Sequence, residues 1–319
     1  MFHQPRRKVE IDLIDIADLF DGDESAEQLK NTLLPRALSF CMTSEKFLHI
    51  GQRERKNKCK PDKELNKQLQ SQILRYVKVP DKYLHFISLL IKSREFHLAY
   101  QELCPKGKPK PLITLPRTEK GKPFIPLPGG EASDFKFSVS HQKPYLGIGR
   151  TFGYEIGIDI VTFDEINKKL YSDESEFLHV FRSSFTDYEW ASIITSSSKL
   201  NEFYLQWAVK EAYTKALGLG LSLDFKSFST RFEGVDNLWG HVSTQDVENG
   251  ICIKGFVRCG DQIPQQWAFF FQLLRFNGKA QGCLCACTRA PSEDKNSTIN
   301  IDVGTKWLTL EELYESLIA

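Results

Sequence analysis

The stretch Phe203–Asp224, FYLQWAVKEAYTKALGLGLSLD, restricts the fold more than any other part of the chain. Leu205, Ala208, Val209, Ala212, Ala216 and Leu217 recur at three- and four-residue spacing, the period of a helix with one apolar face. Gly218 and Gly220 supply the left-handed backbone that ends such a helix. Trp207, Glu211 and Lys215 are spaced i, i+4, i+8 and stack along a neighbouring face. Two readings of that stripe stand side by side. One is a surface ion pair between Glu211 and Lys215, worth about 0.2–0.5 kcal/mol. The other is a metal-binding carboxylate one turn from a cation, built on a rigid element. Other segments must decide between them.

Three segments upstream bear on the choice. Tyr154–Val161, YEIGIDIV, reads as an apolar strand interrupted by one acid, Asp159, with Gly157 just before it. An unpaired charge inside a buried strand is costly, so Asp159 needs a bound cation or the helix lysines as partner. Phe135–Gly149 reads as strand, polar turn and strand; Ser138 and Ser140 alternate with Phe137 and Val139, and His141 ends the first strand, where binding residues collect. In LPRTEKGKPFIPL, the residues Lys120-Gly121-Lys122-Pro123 form a tight turn. That turn is either an exposed basic hairpin or a phosphate holder acting through Arg117, Lys120, Lys122 and free backbone amides.

The remainder organises around these. Lys8–Phe20 reads as an alternating strand, Ser25 or Glu24 to Leu34 as a helix, and Gln52–Lys67 as a solvated basic run. Gln70–Leu103 is helical in pattern, with Pro80 breaking it in two. Glu174–Phe185 is an amphipathic helix, and Thr186 with Glu189 three residues on makes a capping box for the next. Phe225–Phe232, Gly250–Arg258, Trp267–Phe276 and Gln281–Thr288 read as an antiparallel sheet, with Asn277-Gly278 as a hairpin turn. Ile299–Val303 and Leu310–Ile318 read as an edge strand and a terminal helix.

The 319 residues suggest two domains or two lobes. The net charge of +1 gives no global field toward nucleic acid or an anionic membrane, so any anionic ligand must be held by a local basic site. No apolar run reaches the length of a membrane span. Glu10, Asp12 and Asp15 interrupt the N-terminal apolar stretch, which argues against a signal peptide and for the cytosol. Eight cysteines include no CxxC pair, and Cys283, Cys285 and Cys287 alternate as a buried apolar strand face in a reducing compartment.

Three motifs stand in fixed order: the GKP turn with the SVSH strand end, then GID, then WAVKEAYTKALGLGLSLD. Together they resemble the 4′-phosphopantetheinyl transferases, of the two-lobed type typified by the surfactin-synthetase activator, and most resemble the eukaryotic aminoadipate-reductase-activating members. The likeness runs from about Gln70 to the end, with gaps. It implies an α+β fold of two similar, pseudo-duplicated lobes, residues 1–150 and 151–319, each with helices on an antiparallel sheet. The tail 299–319 packs back as strand plus helix, and the active site lies in the cleft between lobes. It implies coenzyme A as co-substrate and Mg²⁺ as cofactor. The reaction is that of a holo-[acyl-carrier-protein] synthase: the phosphopantetheine arm moves to a serine of an apo acyl or peptidyl carrier protein, and 3′,5′-ADP is released. A monomer is expected, with fatty-acid synthase, aminoadipate reductase, and polyketide or peptide synthetases as candidate carriers.

By the same resemblance, Asp159 and Glu211 hold the metal, and Lys215 binds the α-phosphate and offsets charge on the leaving group. Glu211, directly or through a metal-bound water, removes the serine proton, with Lys210 as the rival base. Arg117, Lys122 and His141 hold the phosphates and ribose of coenzyme A, with Lys120, Gly121, Pro123 and Arg75 nearby, and Ser138, Val139 and Ser140 meet its adenine side. Many bacterial relatives carry Glu where this chain has Val161, so two protein carboxylates are expected on the metal, not three. Gln72 stands where the family has a basic residue. The competing reading is a catalytically silent coenzyme A- or nucleotide-binding carrier-protein module, which needs neither Asp159 nor Glu211.

Overall fold

A computed structural model describes residues 7–17, 75–76, 78–103, 116–126, 133–164, 166, 169–244, 250–276, 278–289, 301–310 and 312–313. The expected helix at 24–34, the basic run at 52–67, Gln72, Asn277 and most of the terminal helix lie outside them. The elements are β1 (Arg7–Asp15), α1 (Val79–Leu103), β2 (Phe135–Gln142), β3 (Tyr145–Phe152), β4 (Glu155–Thr162), α2 (Glu174–Val180), α3 (Asp187–Thr195), α4 (Lys199–Leu217), β5 (Phe228–Phe232), α5 (Leu238–Val242), β6 (Ile251–Cys259), β7 (Gln265–Phe276), β8 (Lys279–Arg289) and β9 (Ile301–Trp307). The fold is α+β, with two sheets and few helices.

The first sheet has the order β2-β3-β1-β9 and the second β4-β8-β7-β6-β5. All pairings are antiparallel except β1 with β9, which run parallel from Arg7↔Ile301 to Leu13↔Trp307. The tail strand therefore completes the first sheet, and it runs to Trp307, beyond the expected Val303. Residues 75, 76 and 78 are not helical and α1 starts at Val79, so Pro80 stands at a helix start. It lies in the first turn of α1, where its missing N–H would have no intrahelical partner anyway.

The strand that positions the site is β4. Its side chains alternate, as any strand's must. Ile156, Ile158 and Ile160 pack against Val9, Ile11 and Leu13 of β1 and against Phe270, Leu274, Leu284 and Ala286 of the second sheet. Gly157, Asp159 and Val161 point to the opposite side, toward α4. There Gly157 lets the helix approach backbone to backbone: a Cβ on it would lie 1.9 Å from the Ala212 carbonyl oxygen and 2.4 Å from the Ala216 nitrogen. The alternating thiols Cys283, Cys285 and Cys287 of β8 join the same apolar cluster with Leu205, Ala208, Val209, Ala212 and Ala216, and burial pushes all three pKa values up.

Where β2 faces β4 the sheets are joined by hydroxyls. Ile158 N donates to Ser138 Oγ at 3.0 Å and Ile160 N to Ser140 Oγ at 3.2 Å. Helix α4 ends at Gly218, whose φ of 72° is the left-handed cap expected of that glycine. The box before α3 is present in full: Thr186 accepts from Glu189 N, and the Glu189 carboxylate accepts from Thr186 N.

One buried cluster had no sequence expectation. Asp12 of β1, Arg94 and Glu95 of α1 and Arg150 of β3 meet between α1 and the first sheet. Arg94 lies 2.7 Å and Arg150 3.0 Å from the Asp12 carboxylate, and Glu95 pairs with both arginines. Burial nonetheless raises the Glu95 pKa to about 7, and Asp12 adds to that against the pull of Arg150 and Arg94.

Candidate active site

A cavity of about 580 Å³ opens beside β4 and α4, lined among others by Val139, Ser140, His141, Asp159, Val161, Thr162, Asp164, Trp207, Glu211 and Lys215. Trp207, Glu211 and Lys215, one turn apart on α4, thus share one wall, as their spacing requires. Phe177, Phe181 and Phe203 extend the apolar part of that wall. Phe203 and Trp207 have ring centroids 6.0 Å apart, and Phe181 meets Trp207 edge-on at 5.6 Å.

The polar end is a compact constellation. Lys215 Nζ lies 2.6 Å from Asp159 Oδ1 and donates to Ser140 Oγ at 3.0 Å. Ser140 Oγ in turn donates to Asp159 Oδ1 at 2.8 Å. The lysine's partner is therefore the strand carboxylate and not Glu211, which removes the i, i+4 ion-pair reading of the helix. Asp159, 7% exposed, has the counter-charge its burial demands.

The Glu211 side chain is half-buried, and its carboxylate has no hydrogen-bond or ion-pair partner among the described residues. Its pKa is raised, first by burial and then by the negative charge of Asp159, with Lys215 offsetting part of the effect. Two carboxylates that repel each other across a partly dry pocket suit a hard divalent cation, which takes few protein oxygens and keeps waters and substrate phosphates for the rest. Among the described residues no group of three or more His, Cys, Asp or Glu is placed to hold a metal ion. Val161 shares the Asp159 side of β4 and the cavity wall, which is why an acid at 161 would add a third ligand.

Beyond Lys215 the surroundings turn cationic. The His141 pKa is lowered by burial, then by Lys215 and Lys92, with Asp81 opposing. His85 is driven down to about 4 by burial, then by Lys92, Arg75 and His141. Lys92 is itself lowered by burial and by Arg117. Arg75 lies over the Tyr76 ring at 5.0 Å, and Tyr76 Oη is 3.4 Å from His85 Nδ1. The sequence reading overlooked His85 and Lys92. Their i, i+7 spacing, which sets both on one face of α1, was the available signal.

The structure distributes the remaining expected residues differently. Ser138 is buried and spent on the β2–β4 seam. Arg117, Lys120, Gly121, Lys122 and Pro123 form the expected turn, with Thr118 N donating to Lys122 O and Arg117 to Gly121 O, outside the cavity lining. Arg75 likewise lies outside that lining.

Lys122 is held by protein groups. Its ammonium lies 3.0 Å from Glu155, 3.1 Å from Ile156 O and 2.6 Å from Ala216 O, clipping the C-terminal end of α4 to the start of β4. A cation among the last carbonyls of a helix is where the helix dipole favours one. Lys210, the rival base, is also turned away. It is fully buried, 2.9 Å from Glu189 Oε2, donating to Phe225 O at 2.7 Å and Phe228 O at 2.9 Å, with its charge 4.1 Å from the Phe228 ring centroid. A proton acceptor must reach the cavity, and of the two candidates Glu211 alone lines it.

Comparison with known proteins gives a consistent result. Residues 155–268 match the model of the 4′-phosphopantetheinyl transferase superfamily. An L-aminoadipate-semialdehyde dehydrogenase-phosphopantetheinyl transferase of Xenopus laevis is 37% identical over 163 residues, 49% of either chain. The protein of the same name from Rattus norvegicus is 33% identical over 123 residues, 36% of this chain and 37% of its own. The 4′-phosphopantetheinyl transferase gsp of Aneurinibacillus migulanus is 27% identical over 164 residues, 51% of this chain and 60% of its own. The chain thus spans about half the length, or less, of the first two.

Proposed function

We propose that this chain, which belongs through residues 155–268 to the 4′-phosphopantetheinyl transferase superfamily, moves the phosphopantetheine arm of coenzyme A to a serine of an apo carrier protein. The observation that carries the reading is the convergence of Asp159, Glu211 and Lys215 with Ser140 and His141 on one cavity. A silent binding module has no use for two mutually repelling carboxylates there.

In this reading Asp159 and Glu211 hold Mg²⁺, which when bound neutralises the pyrophosphate and the charge that develops during transfer. The carrier serine forms a new bond to the β-phosphorus, and the bond from that phosphorus to the bridging oxygen breaks. The departing 3′,5′-ADP carries away the electron pair. Glu211 accepts the serine proton, being the one of the two candidate bases that lines the cavity. Lys215 offsets charge on the leaving group once phosphate competes with Asp159 for its ammonium. Lys92 and Arg117 supply positive charge toward the nucleotide end, His141, with its lowered pKa, offers a neutral imidazole, and Phe181, Phe203 and Trp207 give the arm an apolar surface.

Residues 1–150 and 151–319 act as two lobes around this cleft, in a monomer working in the cytosol. L-aminoadipate-semialdehyde dehydrogenase is the first carrier to test, since two relatives are named for that enzyme. The experiment is incubation with coenzyme A, Mg²⁺ and a panel of apo carriers, followed by intact mass. Transfer adds about 340 Da to the carrier, the mass of the arm; a folded sample that modifies none of the panel refutes the proposal.

A further inference from the structure

The buried Glu189–Lys210 pair lies outside the cavity, and its geometry relative to the cavity is specific. Glu189, fully buried, gathers four donors: Thr186 N at 2.9 Å, Thr186 Oγ1 at 2.8 Å, Thr230 N at 3.0 Å and Lys210 Nζ at 2.9 Å. Lys210 adds the carbonyls of Phe225 and Phe228. One carboxylate thus ties the start of α3, strand β5 and the middle of α4 into a single unit.

At about 100° per residue, Glu211 and Lys215 fall roughly 100° and 140° round α4 from Lys210, and Ala212 and Ala216 roughly 200° and 240°. Ala212 and Ala216 are the residues pressed onto Gly157 of β4. The stripe that faces the cavity is therefore held between two fixed contacts, Lys210 on one flank and the glycine contact on the other. The glycine contact sets the distance of the helix from β4, and the apolar face of Leu205, Ala208 and Val209 seats it. The ion pair adds a directional polar anchor on the opposite flank, next to Glu211 in sequence.

We infer that Glu189 is a positioning residue for the transferase centre, acting through Lys210 to fix the rotation of α4 and hence the direction of Glu211 and Lys215. The inference rests on the proposed function for its catalytic readout, so a second readout is needed. Mn²⁺ bound to the enzyme, followed by electron paramagnetic resonance, reports whether Asp159 and Glu211 still converge.

Two variants test it. Glu189→Asp keeps the charge and retracts it by one methylene. Glu189→Leu with Lys210→Met removes both charges together, which avoids leaving one buried and unpaired. Activity is measured per folded molecule, well below each variant's melting temperature. The expected result is a kcat reduced by about 100-fold, the usual consequence of a displacement near 1 Å, with the KM for carrier within about twofold and weaker Mn²⁺ binding. A merely structural pair would leave kcat and Mn²⁺ affinity intact in the folded double variant, and that outcome overturns the inference. If the double variant does not fold, Glu189→Asp decides on the same criteria. If Glu189→Asp does not fold either, the Mn²⁺ affinity of Lys210→Arg decides: unchanged, it overturns the inference; weakened, it supports it. A wild-type protein that binds Mn²⁺ yet transfers nothing refutes the proposed function alone, and the Mn²⁺ comparison still tests the inference.

Discussion

Replacing Gly157 with alanine adds one methyl group at the most crowded of the described glycines. The new Cβ would lie 1.9 Å from Ala212 O and 2.4 Å from Ala216 N. A carbon–oxygen contact settles at roughly 3.3 Å, so α4 must retreat from β4 by about 1.4 Å. Both atoms struck are backbone, and no rotamer change relieves them. Overpacking of this kind costs about 1–3 kcal/mol, and the upper end applies where the obstacle cannot yield. At roughly 2–4 °C per kcal/mol for a unit of this size, the melting temperature should fall by about 6–12 °C. The retreat also separates Glu211 and Lys215 on the helix from Asp159 on the strand. The 2.6 Å contact of Lys215 with Asp159 is lost or lengthened, and kcat should fall about 100-fold. Thermal unfolding and the carrier mass-shift rate measure the two effects. A Gly157→Ala protein that melts within about 2 °C of wild type and keeps its kcat would refute the claim that backbone contact at this glycine sets the site.

Asp159→Asn and Glu211→Gln should each abolish transfer while leaving circular dichroism unchanged, since both are near-isosteric and each removes a negative charge the metal needs; unfolding in either would return these residues to a structural role. The Glu211 pKa is raised, and a base works deprotonated, so kcat/KM should climb with pH through a value above the ordinary carboxylate range. Raising Mg²⁺ should move that limb to lower pH, because a bound cation favours the ionised form; a limb indifferent to Mg²⁺ would separate Glu211 from the metal. Lys122→Met should lower the melting temperature, since it strips the cation from the Ala216 and Ile156 carbonyls, yet leave the KM for coenzyme A within about twofold. A selective rise in that KM would show that Lys122 binds the phosphates after all.

What the sequence made legible was local and periodic. The cavity stripe of α4 followed from i, i+4, i+8, the capping box from Thr186 and Glu189, and the inward thiols of β8 from alternation. The acid in an apolar strand pointed to a partner, and Asp159 has one in Lys215. The destinations of Lys210 and Lys122 were not legible, because both are decided by what covers them. Lys210, beside Glu211, reads as a rival base until Glu189, 21 positions earlier, arrives beneath it. The Lys122 turn reads as a phosphate holder until the end of α4, 94 positions later, meets it. The Asp12–Arg94–Glu95–Arg150 cluster escaped notice for the same reason. Its members lie on three elements, and each alone resembles an ordinary surface charge. The parallel pairing of β9 with β1 likewise joins the two ends of the chain and has no local signature.

The pattern W-x-x-K-E-x-x-x-K in this chain is thus three instructions overlaid on one helix. Trp207, Glu211 and Lys215 face the cavity; Lys210 turns inward to an ion pair; Ala212 and Ala216 are small so that the helix can rest on Gly157. None of the three works without the others. A bulkier residue at 212 or 216 would lift the whole stripe from Asp159. Loss of Lys210 would let the stripe rotate, and loss of Glu211 would leave a well-held helix with nothing to offer a metal. The spacing is specific because two structural contacts and one chemical face must fit within the ten residues from Trp207 to Ala216, and this explains why the motif carried more information than the GID strand did alone.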